Sequence, residues 1–144
     1  YNYIYGLDSL DAEEKKEIGD YTIKMKTVKN PKALKTAKAE DLPLNLDAHY
    51  WQFLVKYNQL QVAKKIKQPI LILQGERDYQ VTMTDFNLWK QQLSSNPKNQ
   101  FISYPNLNHL FMNGAGKSMP SEYEKQGNVE EKVILDIATW VKGK

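Results

Sequence analysis

Residues 69–144 predict an α/β fold with parallel strands, and three features carry that reading. Pro69-Ile70-Leu71-Ile72-Leu73-Gln74-Gly75 is a short apolar run closed by glycine, and Phe101-Ile102-Ser103-Tyr104 is a second run ended by Pro105. A run apolar on both faces suits a parallel strand covered by helices on each side. Between the two lies a helical pattern: Thr82 and Asp85 fit a capping box, Met83, Phe86, Trp89, Gln92 and Leu93 follow, and Pro97 stops it. A closing helix carries Val129, Val133, Ile134, Ile137, Trp140 and Val141 on one face, with Asn128 and Glu131 as its expected capping box. Strand, helix, strand implies one right-handed crossover and hence parallel pairing.

Two strands alone cannot make a stable parallel sheet with both faces covered. The pattern therefore predicts a missing sheet partner, either a preceding part of the protein or a second copy of the chain. The opening on Tyr1 without methionine fits the later part of a longer protein.

Residues before 68 read as helical. Asp11-Ala12-Glu13-Glu14 places acids at a helix start, where the dipole favours them. Ile18, Tyr21, Ile23, Met25 and Val28 follow at imperfect helical spacing until Asn30-Pro31 interrupts. A second stretch is expected over 32–40, then the connector Leu42-Pro43-Leu44. Tyr50, Phe53, Leu54 and Tyr57 mark a third helix with Trp51 and Val55, an aromatic set expected in the core.

Composition excludes several classes. With no cysteine there is no disulfide framework, thiolate zinc site or cysteine nucleophile. No apolar run approaches the ~20 residues of a membrane span, and Tyr1–Asp8 lacks the basic and apolar regions of a signal peptide. The net charge is +3, and its excess lies in the first half around Lys24, Lys26, Lys29, Lys32, Lys35 and Lys38. A solvated helix face explains it. No aromatic platform or groove-reading motif accompanies it, so no nucleic-acid partner is expected.

The chemistry concentrates at the ends of the two strands. In open α/β sheets ligands bind beyond the carboxyl ends of the strands. Asp78 stands one turn past the first strand, in Gly75-Glu76-Arg77-Asp78, and His109 stands in the loop after the second, in Tyr104-Pro105-Asn106-Leu107-Asn108-His109. Parallel strands bring these loops to one edge. An aspartate that accepts the histidine Nδ1–H fixes the tautomer and leaves Nε2 as a general base. Glu76 and Arg77 read as a solvated turn pair, and His49 as a helix-end residue.

Pro69 to Val81, a helix, and then Tyr104 to His109 resemble the last two core strands of the α/β-hydrolase family. More narrowly, they are similar to bacterial dienelactone-hydrolase and acyl-peptidase-like hydrolases. The resemblance covers about residues 48–144. It implies a C-terminal portion of an α/β-hydrolase fold, with Asp78 as catalytic acid, His109 as catalytic base and the chain order Ser, Asp, His. It implies no metal or organic cofactor. Residues 1–47, where the likeness is weaker, correspond to a helical lid-like segment whose lysines could favour anionic substrates.

The family's Gly-x-Ser-x-Gly elbow is absent. Among Ser9, Ser94, Ser95, Ser103, Ser118 and Ser121, only Gly116-Lys117-Ser118-Met119-Pro120 comes near it, after the histidine and with proline for the second glycine. Gly114 to Ser118 also fails as a phosphate-binding loop, because Phe111 occupies the first glycine position.

The expectation is thus a serine hydrolase acting on a small-molecule ester, or less favoured an amide or peptide. Its serine lies upstream, and this chain alone is inactive. The alternative is a non-catalytic binding domain that self-associates through its sheet edge.

Overall fold

The computed structural model describes residues 10–143. The chain divides into two compact units, Tyr1–Asn58 and Gln59–Lys144. In the first unit the third helix buries Ala48 and Trp51 against Val28, Leu34 and Leu42.

In the first unit, α1 spans Ala12–Lys29. Asp11 Oδ1 accepts from the Glu13 and Glu14 amides at 2.8 and 2.9 Å. The Glu14 carboxylate reaches back to the Asp11 amide at 2.9 Å, completing a capping box. Asn30 ends α1 and caps α2, Pro31–Thr36, by accepting from the Lys32 and Ala33 amides. Pro31 sits where a helix needs no N–H donor. The second helix is therefore shorter than the 32–40 expected, and a 3-10 turn at Ala39–Asp41 follows. The aromatic helix is α3, Ala48–Lys56. Trp51 is buried, whereas Tyr50, Phe53 and Tyr57 are exposed, so only one of the four joins the core. α3 packs one face on α1 and α2, and the other three rings project from the remaining surface.

The second unit opens with a short helix, α4, at Gln59–Ala63, which the sequence pattern did not predict. β1 is Leu71–Gly75, α5 is Met83–Leu93, β2 is Gln100–Tyr104 and α6 is Glu131–Lys142. β1 and β2 pair in parallel, with Leu71 opposite Gln100 and Gly75 opposite Tyr104. Side chains alternate across the strands, so Phe101 meets Phe86 of α5 while Ile102 and Tyr104 pack with Leu73, Leu107 and Val133 of α6. Helices thus pack on both faces, as predicted.

The capping box at Thr82 and Asp85 forms. The one expected at Asn128 and Glu131 does not, because α6 begins only at Glu131, after Glu130. The Glu130 amide donates to the Phe111 carbonyl at 2.9 Å, which draws residues before α6 towards the loop after β2 and keeps them extended. Val129 accordingly precedes the helix. Among the described residues the sheet has two strands, and Ile134, Leu135, Ile137 and Val141 of α6 are exposed. No helix among the described residues is long and apolar enough to cross a membrane.

Candidate active site

The turn after β1 is bonded to the loop after β2 through main-chain groups. The Glu76 amide donates to the Tyr104 carbonyl at 2.9 Å, and the Arg77 amide to the Leu107 carbonyl at 3.0 Å. Gly75 makes this approach possible. A Cβ there would lie 2.6 Å from the Asn108 carbonyl oxygen and closer still to that of Leu107. This is the close backbone approach that only glycine permits.

Asp78 follows in this turn, with its side chain 6% exposed. One carboxylate oxygen accepts from the Gln80 and Val81 amides at 2.8 and 3.0 Å. The other lies 2.8 Å from His109 Nδ1. Gln74, a buried polar residue on β1, donates to the Gly75 and Val81 carbonyls at 2.9 and 2.8 Å and so braces the turn. A carboxylate only accepts, so His109 Nδ1 is the donor. A neutral ring then carries its lone pair on Nε2.

The His109 loop is built around Asn108, which is 1% exposed. Its side-chain oxygen accepts from the Leu110 and Met112 amides at 3.0 and 3.1 Å. Phe111 adopts a positive φ of 55°, uncommon for a side chain of that size. Its ring packs edge-on against Tyr104, with centroids 6.1 Å apart, and holds that backbone in place. Leu107 bridges Asn113, and the Gly114 amide donates to the Asn106 carbonyl. His109 therefore sits in a tightly bonded excursion of the chain, with its side chain 39% exposed.

Arg77 is not solvated, contrary to the sequence expectation. Its side chain is 7% exposed and lies along the same loop. Nε donates to the Gly116 carbonyl at 2.8 Å, and Nη2 to the Ala115 carbonyl at 3.2 Å and Glu122 at 2.5 Å. Glu122 also accepts from Asn108 at 3.2 Å and from Ser118 at 3.0 Å. Burial pushes the Glu122 carboxyl up, but these three donors and the Arg77 charge outweigh it and hold the group below the usual range. Glu76 is exposed and accepts from Ser103. Pattern reading missed Arg77 because most of its acceptors are main-chain carbonyls far away in sequence.

His49 and Asp47 form a second pair, at 2.8 Å, but both side chains are highly exposed and Asp47 is the cap of α3. The Asp47 carboxyl is lowered by the His49 amide and then by the His49 ring. Ser118 is buried against Glu122, well inside a loop rather than on a strand-to-helix elbow. Among the described residues no group of three or more His, Asp or Glu side chains could hold a metal ion.

The dienelactone hydrolase family model matches residues 33–142, a span that includes both strands, Asp78 and His109. The chain belongs to the dienelactone hydrolase family. Esterase EstD of Thermotoga maritima is 36% identical over 113 residues, covering 75% of this chain and 27% of that protein. The chain thus spans about a quarter of the length of this relative. No solved structure matches. The family implies an α/β-hydrolase fold. The parallel strand pair with helices on each face is consistent with part of one.

Proposed function

We propose that the chain supplies the acid and base of a serine hydrolase that cleaves carboxylic esters, with the nucleophile on an upstream part of the protein. One observation carries the reading: a buried carboxylate, fixed by two amides, stands 2.8 Å from a half-exposed imidazole at the carboxyl ends of two parallel strands. In the proposed reaction His109 Nε2 takes the proton of the attacking serine and returns it to the leaving alcohol. Asp78 keeps Nδ1 protonated and stabilises the imidazolium that forms. Family membership and the name of the EstD relative support an ester substrate over an amide or peptide.

In this reading residues 1–47 are a helical lid-like segment. The chain alone, without the serine, does not turn over. We also propose that the isolated chain self-associates, since the outer strand edges and the exposed face of α6 offer surface to a second copy.

A fluorophosphonate label applied to the full-length protein, followed by peptide mapping, tests the reading. It is expected to modify one serine in a Gly-x-Ser-x-Gly segment upstream of these residues. Absence of any labelled serine there refutes it and leaves a non-catalytic binding domain.

A further inference from the structure

The proposed catalysis requires Asp78 and His109 to keep their separation, yet His109 rides on a loop without regular structure. We propose that Arg77 and Glu122 form a positioning pair that clamps this loop to the acid turn and so sets the acid–base distance. The inference rests on the triad reading above.

Arg77 is covalently next to Asp78, and Asn108 is covalently next to His109. Arg77 Nη2 donates to one Glu122 oxygen, and Asn108 donates to the other. These bonds, with the one between His109 and Asp78, close a ring through both catalytic candidates. The ring holds the pair together by a second route that does not pass through the imidazole.

The guanidinium is suited to this task. Its donors form a rigid fork, and here they are divided between Glu122 and the carbonyls of Gly116, Ala115 and Asn106, all in the segment that carries or follows His109. Donors committed in this way are not available to a substrate carboxylate. An exposed ion pair contributes little, but an arginine 7% exposed has given up its water and relies on these partners.

Gly114 provides an independent sign of the same fit. A Cβ at that position would overlap the Arg77 guanidinium. The loop is shaped to receive this side chain.

The test uses the full-length protein and a p-nitrophenyl ester. Arg77→Met is expected to lower kcat by about 10- to 100-fold, the effect of a misplacement near 1 Å, while KM stays within about threefold. Arg77→Lys should fall between the two, since a single ammonium cannot fill the fork. The low-field proton signal of an imidazole N–H held by a carboxylate should be present in the wild type and lost in Arg77→Met. If Arg77→Met does not fold, Arg77→Lys and Glu122→Gln give the same readouts. The inference is overturned if the folded variants keep kcat within about twofold and retain the proton signal, while His109→Ala is inactive. If His109→Ala is itself active, the triad reading fails and takes this inference with it.

Discussion

Gly75→Ala probes the link between fold and chemistry at one atom. Gly75 ends β1, and a Cβ there would lie 2.6 Å from the Asn108 carbonyl oxygen, with the Leu107 carbonyl nearer still. Ordinary van der Waals contact for a Cβ begins at about 3.4 Å, so the two segments must part by most of an ångström. Both obstacles are backbone, and neither can swing aside as a flexible side chain could. Overpacking of this kind costs about 1–3 kcal/mol. The Asn108 carbonyl directly precedes His109, so the parting is transmitted to the 2.8 Å bond between His109 and Asp78 and lengthens it beyond hydrogen-bond reach. A shift of about 1 Å in a catalytic group can cost on the order of 10²-fold in rate. In the full-length protein, urea unfolding and ester hydrolysis should therefore both change, with kcat reduced about 10²-fold. Gly19→Ala is the control. Its Cβ meets nothing within 4 Å inside α1, so it should raise stability by about 0.5–1 kcal/mol and leave kcat unchanged. A Gly75→Ala protein with wild-type kcat would refute the claim that the acid turn and the histidine loop are held in contact.

Other expectations follow from the same geometry. Because the Glu122 carboxyl is held low in the folded state, its stabilising effect is complete above the ordinary glutamate value and is lost as pH falls through the folded value. Glu122→Gln should flatten the loss of urea resistance below about pH 4.3, with Asp136, lowered by Tyr104 and then Lys132, leaving some slope. The isolated chain should grow from monomer to dimer with concentration in light scattering. A monomer that persists at high concentration and unfolds cooperatively would contradict self-association through the sheet edge.

The parallel strands and the nearness of Asp78 and His109 were legible because both follow from local pattern. Strand runs, a helix between them and polar residues just past each strand determine which loops meet. The capping box at Thr82 was legible for the same reason, since its bonds span three residues, whereas at Asp11 the acids marked a helix start and the box itself emerged only in the structure. The expected cap at Asn128 failed where a distant group competed, namely the Phe111 carbonyl that takes the Glu130 amide. Arg77 was misread for a related reason. Next to Glu76 in a turn it looks solvated, and its burial depends on carbonyls 38 and 39 residues away and on Glu122 45 residues away. Gln74 left a weak signal as a polar residue in an otherwise apolar strand, whereas Asn108 left none in a loop already rich in asparagine.

The central claim is that His109, oriented by Asp78, is the base of an ester hydrolase. Steady-state hydrolysis of a p-nitrophenyl ester by full-length His109→Ala, with folding checked by circular dichroism, tests it most directly. The account predicts a fall in kcat on the order of 10³ or more, because triad members act as a unit. A loss of less than about tenfold would mark His109 as a structural residue and contradict the account.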